Sequence, residues 1–295
     1  MAKRKTKIKN DVGINIVINI ILILTAVVIM YPLWFVIIAS ISDPSHIAAG
    51  NVILFPRGIT FDAYKALLDQ KQLLIGYRNS ILYMFGGTFT MFVVTLPMAY
   101  ALSRKKLYGR RFINFLVVFS MYFSGGLIAT YLLHCEIGWL DTIWVLIVPS
   151  TFQAYYLILA RSNFESLPES MYEAASIDGA SDFRYFISFV LPLSKAIIAV
   201  LFLFSALKWW NDYMRYQIYI SNPNLQSLQV FIQQITSVLT QTVSEGAPEH
   251  IAEQRRMAEL LKYSVVVVSS VPFCVIYLFV QKYFNKGVMI GAIKE

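Results

Sequence analysis

Long apolar runs alternate with short polar stretches along the whole chain. They define six segments, near 14–41, 81–102, 112–133, 143–159, 196–220 and 260–280. A bilayer's hydrocarbon layer is ~30 Å thick and a helix rises ~1.5 Å per residue, so about 20 residues are needed to cross. Four segments meet that length easily. The fourth in order is short, and the fifth is apolar only from Ala196 to Leu207 before it turns polar. The first run follows a basic start (Lys3, Arg4, Lys5, Lys7, Lys9) but is too long for a signal core, so it reads as a retained helix. The pattern predicts an all-α membrane protein with six transmembrane helices.

The polar stretches set the orientation. With the N-terminus inside and every segment crossing, sixteen of the 25 Lys and Arg residues fall on the cytoplasmic side, including Arg104, Lys105, Lys106, Arg110 and Arg111. This is the positive-inside bias, and it places both termini in the cytoplasm. The expected divisions are a tail (1–13), a membrane domain (14–284) with a cytoplasmic loop at 162–194, and a second tail (285–295). Stretches 42–78 and 221–259 lie outside.

Composition narrows the function classes. The chain has 295 residues, 57% hydrophobic and 14% charged, whereas soluble domains run near a quarter charged. The net charge of +8 comes in short clusters between apolar runs, which orient a membrane protein rather than bind nucleic acid. Cys135 and Cys274 form no CxxC pair, and His46, His134 and His250 are isolated, so no metal site and no disulfide is expected. No GxxxxGK[ST] loop occurs, and neither does an HExxH helix, a Ser/His pair or a pair of intramembrane carboxylates. No catalytic residue is therefore assigned. An ion- or proton-coupled secondary transporter stays open on these grounds.

The loop at 162–194 is patterned as ordered structure. Pro168 can open a helix at no cost in hydrogen bonds, and Glu169 suits the first turn. Asp178-Gly179 stops that helix, glycine supplying the left-handed conformation. Ser181 with Asp182 can cap a second helix running toward Leu191-Pro192. Ala174 and Ala175 would give a flat face for close packing, with Glu173 beside them to pair with a cation. From the residues alone, that face could dock on another protein or pack on its own membrane domain.

The run Glu173-Ala174-Ala175, Asp178-Gly179 and Leu191-Pro192 resembles the EAA loop of ABC importer permeases, seven positions at set spacings over 20 residues. The stretches 281–287 and 291–294 are similar to the tail of the carbohydrate branch, the maltose-type smaller permeases. Tyr77–Ser80 and Met121–Ile128 are similar to its complex-oligosaccharide members. Glu295 stands where that tail usually ends in glycine, and Ala129 where proline is common. The resemblance implies the type I ABC importer permease fold in a bacterial cytoplasmic membrane. It implies a heterodimer with a second homologous permease, and two ATPase subunits gripping the coupling helix. A solute-binding lipoprotein outside would deliver a sugar or oligosaccharide. ATP and Mg would sit on the partner ATPases, with no cofactor in this chain.

The polar end of the fifth segment, Lys208-Trp209-Trp210-Asn211-Asp212-Tyr213, lies about 20 Å along a helix from Lys195. Lys208 and Asp212 are four apart and can pair. Trp209, Trp210 and Tyr213 could stack on sugar faces, and Asn211 could bond hydroxyls. Tyr122, Asn79 and Tyr83 are further pathway candidates. An interfacial aromatic belt with a structural ion pair would account for the same residues.

Overall fold

The computed structural model describes residues 12–244 and 261–281, and regular structure within them is helical throughout. The first apolar segment is α1 (Val12–Ser40), followed by the short α2 (Pro44–Ala48) and α3 (Asp62–Leu68). The second lies within α4 (Lys71–Ser103), whose 33 residues continue through Pro97. The last is a helix over Leu261–Gln281. These three are long and apolar enough to cross a membrane; two bent helix pairs raise the number to five among the described residues.

The bends have local causes. The third segment is α5 (Arg110–Tyr122) and α6 (Gly126–Glu136), which meet at 105°. Phe123 is extended and Gly126 takes φ +78°, a left-handed value that glycine adopts without a Cβ penalty. The fourth segment is α7 (Trp144–Ile147), a 3₁₀ turn containing Pro149, and α8 (Ala154–Glu165), with Gln153 extended before α8. The fifth is α12 (Lys195–Asn211), which stops at Asp212 and resumes as α13 (Tyr213–Tyr219).

That stop changes the expected ion pair. Asp212 does not continue the helix that carries Lys208. Its side chain caps α13 by accepting from the Arg215 N–H at 3.2 Å, and it pairs with the Arg215 guanidinium at 3.0 Å. No ion pair to Lys208 is formed among the described residues.

Two compact units divide the chain, one from residues 1–67 with 235–268, the other from 68–234 with 269–295. In the first, the end of α1 is held by hydroxyls. Tyr64 and Ser40 share a 2.7 Å hydrogen bond, and Ser264 donates to the Ser40 carbonyl at 3.2 Å. Phe35 meets Tyr263 edge-on at 5.8 Å.

In the second unit, α8 and α12 pack on α4. Ala99, Leu157, Ala160 and Leu201 are fully buried there. Small residues set the approach: a Cβ at Gly87 would fall inside the indole ring of Trp209. Beside this contact, Thr88 and Ser205 share a buried hydroxyl bond at 2.9 Å.

Gly87→Val should therefore lower stability by about 1–3 kcal/mol through overpacking, and adding Trp209→Ala should recover part of the loss. Thermal unfolding of the detergent-solubilised protein measures both. An unchanged Gly87→Val variant would contradict the contact.

Candidate functional site

The loop expected to be ordered is a helix, a tight turn and a second helical stretch. Pro168 opens α9 (Glu169–Ile177), with Glu169 in its first turn. At its other end Gly179 has φ +76°. The Ala180 N–H bonds the Ala175 carbonyl at 2.9 Å and the Gly179 N–H bonds Ser176 at 3.1 Å, the two hydrogen bonds of a Schellman stop. Ser181 then caps α10 (Asp182–Tyr185) by accepting from the Arg184 N–H. A π turn at Phe186–Val190 leads into α11 (Leu191–Leu193). Pro192 has no N–H to offer the Ser188 carbonyl, and the wider turn absorbs that gap.

Packing seats this segment on α4. Ala175, Tyr185, Phe186 and Val190 are buried against Leu96, Ala99, Tyr100 and Leu102. Polar contacts ring that core. The Arg104 guanidinium lies 3.5 Å from the centroid of the Tyr172 ring. The Tyr172 hydroxyl donates to Asp182 at 3.0 Å, and the Tyr100 hydroxyl donates to the same oxygen at 3.4 Å. Lys105 pairs with Glu169 at 3.4 Å in the open, and Arg110 pairs with Glu165. Burial of each large side chain contributes about 1.5–3 kcal/mol, against about 0–1 for an exposed ion pair. Packing thus holds the segment, and the Arg104–Tyr172–Asp182 contacts fix its register.

The alanine pair does not form one face. Adjacent helical residues point different ways: Ala175 is buried in the core while Ala174 is exposed beside Glu173. Ile177 and Phe183 flank the turn and are 86% and 69% exposed. Asp178 and Gly179 are exposed at the tip; Leu191 is half-buried against the core and Pro192 is exposed.

The pathway candidates separate into two groups. Four are buried inside the second unit. Trp209 lies against Gly87, and Trp210 donates to the Ser269 carbonyl at 3.1 Å. Asn79 donates to the carbonyls of Asn224 and Gln226, at 2.8 and 3.0 Å. Tyr83 donates to Leu225 at 2.9 Å and stacks on Tyr216. None of these four offers a free face to a solute in this conformation. Tyr122, Asn211 and Tyr213 are exposed.

The family model described as binding-protein-dependent transport system inner membrane component matches residues 73–290. The chain belongs to this family. It is 35% identical over 281 residues to the polygalacturonan/rhamnogalacturonan transport system permease protein YtcP of Bacillus subtilis (strain 168), covering 92% of this chain and 95% of that one. It is 35% identical over 263 residues to protein LplC of the same organism, covering 89% and 88%. Among solved structures, it is similar to a chain of a bacterial ABC transporter involved in the import of the acidic polysaccharide alginate. That likeness has a TM-score of 0.83 at 30% identity and covers 94% of this chain and 98% of the other.

As a binding-protein-dependent permease, the chain has an all-α membrane fold, and its described part carries further determinants that the sequence did not reveal. Arg215 joins three elements: it pairs with Asp212, bonds the Ser150 hydroxyl and lies 5.5 Å from the Trp209 ring. Asp141 takes φ +56° and accepts from the N–H groups of Ser221 and Asn222 at 2.5 and 2.8 Å. Asp212 and Arg215 are three apart, but no local spacing links Arg215 to Ser150 or Asp141 to Ser221 and Asn222. Tyr172 and Asp182 were within reach, since both sit in the patterned loop, but their partner Arg104 is far off in sequence.

Nothing lies within 4 Å of a Cβ at Gly179, so substitution there acts through the backbone alone. Gly179→Val should cost about 1–2 kcal/mol of local turn stability and depress uptake. Gly179→Asn, which tolerates the left-handed region, should depress it less. Uptake assays on both variants, with complex assembly as control, check the order; equal activity in both would contradict a backbone role.

Proposed function

We propose that this chain is the permease subunit of an ATP-driven importer that moves an oligosaccharide across a bacterial cytoplasmic membrane. The observation that carries the reading is α9 and its turn: a rigidly capped segment in a permease of this family that leaves Ala174, Ile177 and Phe183 exposed beside Glu173. An apolar patch with a charged rim suits a protein partner. On this reading Glu173, Ala174, Asp178 and Gly179 face the groove of an ATPase subunit. Ala175, Leu191 and Pro192 shape the segment from behind.

The rest of the assembly follows from the same reading. The basic residues 104–111 and both termini lie in the cytoplasm. A second, homologous permease completes the pathway, two ATPase subunits hold ATP and Mg, and a lipoprotein receptor feeds the outer face. The relatives named above support a carbohydrate cargo, one named for polygalacturonan/rhamnogalacturonan and one for alginate. The pathway candidates are the exposed Tyr122, Asn211 and Tyr213. ATP binding favours one of two conformations of the pathway and hydrolysis releases it.

The test is co-purification and uptake. The chain should bring an ATPase with it from membranes, and Ile177→Asp with Phe183→Asp should weaken that association at least about tenfold, as for a contact hot spot. Unimpaired uptake in cells lacking the ATPase would sink the reading in favour of an ion-coupled carrier.

The exposed candidates predict a second outcome. Tyr122→Ala and Asn211→Ala should slow uptake while the ATPase remains bound. Wild-type kinetics in both would remove them from the pathway.

A further inference from the structure

α12 has two unlike faces. Leu201, Ser205, Ala206, Trp209 and Trp210 are buried against the second unit. Phe204, Lys208 and Asn211, spaced four and three apart, share the other side. Phe204 is 38% exposed, Lys208 half-buried and Asn211 exposed. The Asn211 amide N–H₂ bonds the Leu207 carbonyl at 3.0 Å, which leaves its oxygen turned to other donors.

Among the described residues, Lys208 forms no ion pair. Asp212, the acid nearest Lys208 in sequence, is taken by Arg215 at 3.0 Å and as a helix cap. An ammonium about 20 Å along a membrane helix is costly unless it meets an anion or water. We infer that the Phe204–Lys208–Asn211 face of α12 is a recognition site for acidic oligosaccharides, in which Lys208 receives a uronate carboxylate. This rests on the importer reading above and adds its substrate class.

Each side chain then has a part. The Phe204 ring offers an apolar plane to the C–H face of a pyranose. The Asn211 amide oxygen accepts from a ring hydroxyl. Lys208 is the specificity element, since a neutral sugar would leave its charge without a counter-ion. The rings of Trp209 and Trp210 do not take part; they hold α12 so that this face turns away from α4.

The experiment is a cycle of four uptake rates in proteoliposomes holding the complete complex. Trigalacturonate and its fully methyl-esterified form are compared in the parent and in Lys208→Gln. The expected result is a drop of at least about tenfold for trigalacturonate in the variant, with ester uptake undiminished, ATPase association retained and Lys208→Arg close to the parent. Equal losses for both probes would show a structural lysine and overturn the proposal, as would no loss for either. A parent complex that imports only neutral sugars overturns the substrate class while leaving the importer intact. A parent with no ATPase and no sugar uptake overturns the importer reading itself.

Discussion

The organisation of the second unit depends on what α4 can satisfy along its length. Inside lipid, irregular backbone is tolerated only where protein supplies its hydrogen bonds. One end of α4 does this for residues 224–228. Asn79, Tyr83 and Ser80 bond the carbonyls of Asn224, Gln226 and Leu225 and the N–H of Leu228. Gly76 lets the Leu228 backbone approach more closely than a Cβ would permit. The other end of α4 carries Tyr100 and Arg104, which register α9 and α10. One 33-residue helix thus fixes both the segment proposed to meet the ATPase and a loop at the opposite side.

The interruptions follow the same rule. Where α12 ends, the Asp212 carboxylate caps the next helix and neutralises Arg215. Where the chain leaves α13, Asp141 accepts the N–H groups of Ser221 and Asn222. A left-handed non-glycine residue costs of order 1–3 kcal/mol, so Asp141 holds φ +56° against that cost because two charge-assisted bonds require it. These acids are structural, and this is why Asp212 does not serve Lys208.

What was legible in the sequence is what is local. The Pro168 start, the Gly179 stop and the Ser181 cap depend on residues within one turn of each other, and each appears as expected. The long apolar runs also became helices. The bends did not show, because hydropathy averages over single positions: Phe123 is itself apolar, Gln153 is one polar residue in an apolar run, and only the backbone at those points is extended. The Lys208–Asp212 pairing failed for the same reason, since an i,i+4 rule holds only while the helix continues. Trp209 and Asn79 looked like ligand contacts because their partners, Gly87 and residues 224–226, are distant in sequence. Resemblance supplied the family, which packing rules alone would not have named.

Exposed apolar surface carries opposite meanings in different parts of this chain. Along α1, Leu22, Ile23, Val28 and Ile29 are all about as exposed as one another, at 60–70%, with no buried stripe in the apolar window of the helix. A surface apolar on every side suits lipid, for which one direction is as good as another. Ile177 and Phe183 are as exposed, at 86% and 69%, yet they flank a turn rich in Glu, Asp and Ser that no bilayer would accept. In water, such a pair held rigid by a Schellman stop loses free energy only by meeting another protein. Lys208 inverts the case: a charge on a helix whose buried side is apolar, stable only where something other than lipid comes to it. The two features that do not match their solvent are the two that the proposed function uses.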